Sequence, residues 1–116
     1  MATHKELEIW QRGIGLVEQV YRLTSVFPHE EMYGLTAQIK KSAISIPSNI
    51  AEGAARGTRN EYLRFLYISL GSLSELETQL EIAKRLRFIT EVEIMSEVEI
   101  LRKKMLNFIK YLKGKK

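Results

Sequence analysis

The chain has 116 residues, enough for one hydrophobic core and too few for two. Hydrophobic residues make up 45% and charged residues 28% of it, the profile of a globular domain rather than a disordered one. Cysteine is absent, which excludes disulfides, thiolate metal ligation and cysteine nucleophiles, and the net charge of +4 gathers in the tail at Lys113, Lys115 and Lys116 because the helical segments nearly cancel.

The amino terminus lacks an apolar signal core, and no run of about 18 apolar residues occurs. A cytoplasmic protein with no membrane segment is expected: a single domain over 1–116, with 1–4 and 113–116 as frayed ends. The first helix is predicted from about Lys5 to Val26, with Leu7, Trp10, Ile14, Val17, Tyr21 and Thr24 as its inward stripe. Phe27-Pro28 ends it. The second helix is predicted from near Glu30, turning Leu35, Ile39, Ile46 and Ile50 inward and stopping between Gly53 and Gly57. Pro47 falls inside it. A separate helix starting at Pro47 would have Ile46 as its cap, a poor one, so one proline-kinked helix is expected rather than two.

Thr58 and Glu61 form a capping-box pattern ahead of the third helix, whose stripe is Tyr62, Leu66, Ser69, Leu73, Leu76, Leu80 and Ala83. Thr90 and Glu93 repeat that pattern for the fourth, with Ile94, Val98, Leu101, Met105, Phe108 and Leu112 inward. No strand alternation competes. Short connections between long helices predict an all-α, antiparallel up-down four-helix bundle.

The segment Ser45-Ile46-Pro47-Ser48-Asn49-Ile50-Ala51-Glu52-Gly53, with Tyr33-Gly34-Leu35 upstream and Arg56 beyond, resembles the signature of the four-helix-bundle proteins encoded in intervening sequences of bacterial 23S ribosomal RNA genes. The resemblance implies an all-α bundle that assembles into a ring-like homopentamer with no established enzymatic activity. The fold is also similar to that of the accessory proteins of diversity-generating retroelements, basic pentamers that engage nucleic acid and a reverse transcriptase. From the residues themselves, Pro47 frees the Ala43 carbonyl, and nearby serines or the Asn49 amide are suited to satisfy backbone groups at a kink. Asn49 and Glu52 share a face with Gln38 and Lys41, where a buried amide and carboxylate could fix the register of a subunit boundary.

A second apolar seam on the first helix, Ile9, Gly13, Leu16, Val20 and Leu23, and the apolar girth of the third helix leave Ile9, Leu16, Leu23, Phe65 and Tyr67 as candidate subunit contacts. An up-down course brings Arg56, Arg59 and Arg64 to the same end as Lys110, Lys113, Lys115 and Lys116, with Tyr111 as a stacking group. Glu6, Glu8, Glu52 and Glu61 dilute that field. The histidines are His4 and His29, which supply no Glu-x-x-His pair for a di-metal bundle site. Arg22 and His29 match a ribonuclease-like spacing, but Phe27-Pro28 breaks the helix between them. Gly13-x-Gly15 lacks the strand context of a phosphate loop and reads as a packing notch. The expected function is a non-enzymatic, cofactor-free homo-oligomeric scaffold, and the alternative is an RNA-binding accessory protein using the basic end.

Overall fold

The computed structural model describes residues 3–90 and 93–115. Four long helices carry the fold: α1 (Glu8–Thr24), α2 (Leu35–Ala54), α3 (Arg59–Arg85) and α4 (Glu93–Lys113). Single 3-10 turns at His4–Glu6 and His29–Glu31 precede α1 and α2, and no strand occurs among the described residues. The helices close a cycle in which each packs on its chain neighbours and α4 packs on α1, giving a body of 49 × 22 × 21 Å.

Local chemistry sets the boundaries. Ser25 and Phe27-Pro28 end α1, with the Ser25 hydroxyl donating to the Arg22 carbonyl at 2.7 Å. Glu30 and Glu31 fall in the 3-10 turn after Pro28, so α2 begins at Leu35, later than expected. There Glu31 Oε1 accepts from the Leu35 amide at 3.3 Å, supplying a side-chain acceptor near the helix start. Thr58 caps α3 by accepting from the Glu61 amide at 3.2 Å. The Thr90–Glu93 capping pattern spans residues outside the described ones.

Helix α3 ends on Arg87, whose φ of 66° is the left-handed region that favours glycine. The Phe88 amide donates to Ala83 O at 2.9 Å and the Arg87 amide to Lys84 O at 3.0 Å. These two bonds form a Schellman motif.

Apolar stripes from all four helices meet in one core. Ile39, Ala43, Ile46 and Ile50 of α2 face Leu66, Leu73, Leu76 and Leu80 of α3, and Ile94, Val98, Leu101, Met105 and Ile109 come from α4. The stripe of α1 differs from the expected one. Ile9, Gly13, Leu16 and Val20 are buried, whereas Leu7, Trp10, Ile14 and Val17 are half-buried and Tyr21 is exposed. On that face Gly13 lies against the proline ring, where a Cβ would stand 3.4 Å from Pro47 Cβ, ordinary packing contact. Gly13 is the expected notch, while a Cβ on Gly15 would touch nothing within 4 Å.

Cross-helix pairs run in opposite order along neighbouring helices. Gly13 meets Pro47, and Lys40 Nζ lies 4.5 Å from the Tyr21 ring. Glu8 reaches Lys104 at 3.0 Å and Arg12 reaches Glu97 at 3.4 Å. Ser69 pairs with Ile46, Ser72 with Ser45 and Ser42 with Glu75. Between α3 and α4, Arg102 bonds Glu77 at 2.7 Å and also pairs with Glu99 on its own helix.

Candidate functional site

The signature segment lies on the seam between α2 and its two neighbours. Helix α2 runs unbroken through Pro47, which is buried. Proline removes one backbone donor, and hydroxyl and amide groups gather beside it. Asn49 Nδ2 donates to Ser45 O at 2.8 Å and to Ser45 Oγ at 2.9 Å. From α3, Ser72 Oγ donates to Ser45 Oγ at 2.9 Å and Ser69 Oγ to Ile46 O at 2.9 Å. These donors reach backbone groups beside the proline, as their types suggest, at the carbonyls of Ser45 and Ile46 and not at the Ala43 carbonyl that Pro47 frees. Ser42 Oγ donates to Glu75 Oε1 at 3.4 Å beside a groove of about 270 Å³ that Gln38, Lys41 and Gln79 also line.

Gly53 completes the seam. A Cβ there would fall 2.9 Å from Phe65 Cβ and 3.2 Å from both Tyr62 Cδ1 and Tyr62 O, so only glycine lets α2 approach the first turns of α3 this closely. The remaining signature residues divide. Leu35 packs against the core, and Gly34 stands at the entry to α2 with Glu31 Oε1 3.2 Å from where a Cβ would sit. Tyr33 is 92% exposed. Glu52, expected as a buried carboxylate, is exposed in the protomer and pairs with Arg56 at 2.8 Å.

The opposite surface type occupies the end where the start of α3 meets the close of α4. Arg56 and Arg64 both lie over the Phe65 ring, at 4.8 and 5.1 Å, and each is tied to a carboxylate, Arg56 to Glu52 and Arg64 to Glu61 at 3.6 Å. Lys113 Nζ stands 5.3 Å from the Tyr67 ring and Lys115 Nζ 5.1 Å from the Tyr111 ring. Arg59, Lys110, Lys113 and Lys115 are exposed and make no ion pair among the described residues. Lys116 lies outside the described residues.

An aromatic row underlies these cations: Tyr62 meets Phe108 edge-on at 5.7 Å, and Phe108 stacks on Tyr111 at 6.1 Å. Burial raises the Tyr62 phenol, holding it neutral at physiological pH. A cleft of about 380 Å³ between Tyr62, Ala54, Ala55 and the residues around His4 opens beside this row. Glu8 belongs to a different network, where hydrogen bonds from Lys104 and Arg12 hold its carboxyl below the ordinary range.

The candidate subunit contacts also separate. Ile9 and Leu16 are 4% and 2% exposed and serve the protomer's own core, so they leave no surplus on α1; Leu23 is half-buried against that core. Phe65 is half-buried under its two arginines, and Tyr67 is exposed beside Lys113. Other aliphatic groups are left in water, among them Ile44 of α2, Ile68 and Ile82 of α3 and Leu106 of α4, with Val26, Met32 and Leu86 in or beside the connections. Arg22 is exposed in the last turn of α1, and His29 is exposed in the following 3-10 turn beyond Pro28. No described helix is long and apolar enough to cross a membrane.

The pairing of α3 with α4 at this end could not be read locally, because Tyr67 and Lys113 are far apart in sequence. The Tyr111–Lys115 spacing of four residues was visible as a same-face pair. Comparison with known proteins places this arrangement in context. The family model described as 23S rRNA-intervening sequence protein matches residues 5–112. A solved structure from Bacteroides thetaiotaomicron, a protein with unknown function from the S23 ribosomal protein family, has a TM-score of 0.79 and 24% identity over 88% of this chain and 95% of that chain. No curated protein matches.

Proposed function

The chain belongs to the 23S rRNA-intervening sequence protein family, and from that premise we propose that it is a non-enzymatic, cytoplasmic homo-oligomeric scaffold built on an up-down antiparallel bundle with a kink at Pro47. The opposite ordering of cross-helix pairs supports the antiparallel course. Pro47 inside α2, which leaves the Ala43 carbonyl without its helical donor, supports a kink.

The observation that carries self-association is the apolar surface that the core leaves uncovered. Ile68 and Ile82 stand in water on α3, fourteen positions apart on one helical face, with Gly71 between them offering open space for close approach. Tyr33 is almost wholly exposed although it belongs to the signature. A pentamer is the assembly that the family resemblance implies. Sedimentation velocity at micromolar concentration tests it: a discrete oligomer is expected, and a monomer would refute the proposal.

A second reading, RNA binding, is favoured by the basic and aromatic end. Arg59, Lys110, Lys113 and Lys115 have no carboxylate partner among the described residues; Lys115 lies over Tyr111, in the row with Tyr62 and Phe108, and Lys113 over Tyr67. Lysine and arginine there neutralise phosphate without reading base edges, so binding is weakly sequence-selective and steeply salt-dependent. Oligomerisation multiplies the patch. Fluorescence anisotropy across a salt series tests it, with loss of binding expected when residues 113–116 are removed together with Arg56→Ala and Arg59→Ala. No binding at low salt would leave a protein partner as the scaffold's object.

A further inference from the structure

We propose that Tyr67 and Tyr111 are base-stacking platforms for single-stranded nucleic acid, each covered in the free protein by a lysine that transfers to phosphate on binding; this rests on the RNA-binding reading above and specifies its substrate class. The two rings are 46% and 57% exposed, so neither serves mainly to fill the core. Lys113 and Lys115 lie over them within about 6 Å of the ring centres, where a cation is attracted by the negative face of the π-system.

The neighbouring arginines show what a committed cation looks like. Arg56 and Arg64 also lie over a ring, Phe65, but each is held by a carboxylate, Glu52 or Glu61. Lys113 and Lys115 have no carboxylate among the described residues. A phosphate offers such a lysine a full opposite charge in place of a ring quadrupole, and exposed cation–π contacts are weak enough to exchange. The exchange uncovers the ring at the moment the backbone arrives. Tyr111 is braced for this role by Phe108, which stacks on it and is itself met edge-on by the half-buried Tyr62.

A base can use an uncovered ring only if its own face is free. In a duplex both faces of each base are occupied by stacked neighbours, whereas an unpaired base offers a π-face of any identity. The platform therefore selects strandedness, not sequence, and it combines the two features of non-specific single-strand binding, cations that track the backbone and aromatics that take bases.

Anisotropy titrations test this with fluorescein-labelled oligo(U) and oligo(dT) of about 12 nucleotides and an RNA hairpin of matched phosphate number. Both single strands are expected to bind more tightly than the hairpin at one salt concentration. Tyr67→Leu and Tyr111→Leu should each weaken single-strand binding roughly 10-fold while leaving the hairpin and the salt slope unchanged. Tyr67→Phe and Tyr111→Phe, which keep the ring, should retain affinity. Lys113→Ala with Lys115→Ala should flatten the slope of log K against log salt by about 1.4. Far-ultraviolet circular dichroism verifies that each variant is folded. Equal binding of single strand and hairpin, with no effect of the leucine variants, would overturn the platform while leaving RNA binding intact. Failure of every probe to bind at low salt would overturn the RNA-binding reading and the platform with it.

Discussion

Along the seam between α2 and α3, polar groups face one another across the helices: Ser72 meets Ser45, Ser69 meets the Ile46 carbonyl, Asn49 folds back on Ser45, and Gly53 admits Tyr62 and Phe65. At the end where α3 begins and α4 closes, comparable groups face outward. Lysines rest on tyrosines, with no carboxylate partner among the described residues, and aromatic rings stand in water. The contrast separates two meanings of an unusual residue. Pro47, Asn49 and Gly53 are unusual for a helix interior because they shape it, and each finds its partner within the protomer. Lys113, Lys115, Tyr67 and Tyr111 are ordinary in sequence, yet they are the groups left able to take a partner.

The contrast makes stability fall on one side and leave the other untouched. The largest effect is expected at Gly53. Gly53→Ala drives a Cβ into Phe65 and the Tyr62 backbone, and the net loss, after alanine's better helix propensity, should be about 1–2 kcal/mol by urea unfolding. An unchanged midpoint would mean that the seam is slack. Ser69→Ala removes one donor from a carbonyl beside Pro47 and should lower stability by about 1 kcal/mol. Outside both regions, beyond the last turn of α3, stands Arg87, strained at φ 66°. Arg87→Gly should raise the unfolding midpoint by an amount equivalent to about 0.5–1 kcal/mol, since glycine removes the Cβ penalty but adds freedom to the unfolded chain.

The smallest effect belongs to Glu8, whose carboxyl is held low first by the hydrogen bond from Lys104 and then by Arg12. A carboxyl with a depressed folded-state pKa stabilises above its unfolded pKa, and that contribution disappears as pH falls through the folded value. The stability difference between the wild type and Glu8→Gln should therefore shrink on acidification below the ordinary carboxylate range. A difference independent of pH would show that Glu8 contributes through its shape alone.

Much of this was visible in sequence because helical periodicity reports burial directly. The stripes of α2, α3 and α4 lie inward much as their spacing predicts, with Phe108 half-buried beside a buried Ile109. The stripe of α1 differs because two apolar seams compete on that helix, and the one that faces the core meets α2 through a contact distant in sequence, Gly13 against Pro47. For the same reason Ile9 and Leu16 belong to the core and not to a surplus. The start of α2 was placed too early because Glu30 and Glu31 suit a first helical turn, whereas Pro28 and Gly34 confine them to a 3-10 turn. At the basic end the cations were legible individually. Their carboxylate and ring partners were not, because charge state is read from the sequence but pairing is a property of packed helices.

Anisotropy of a labelled single-stranded RNA, titrated with wild-type protein, with Lys113→Ala/Lys115→Ala and with Ser69→Ala, tests the division between the two regions most directly. The lysine variant is expected to keep the wild-type stability to within about 0.5 kcal/mol and to lose most of its affinity. Ser69→Ala should unfold earlier but bind with wild-type affinity when folded. Loss of binding in folded Ser69→Ala, with the lysine variant binding normally, would refute this division and move the functional surface to the α2–α3 seam.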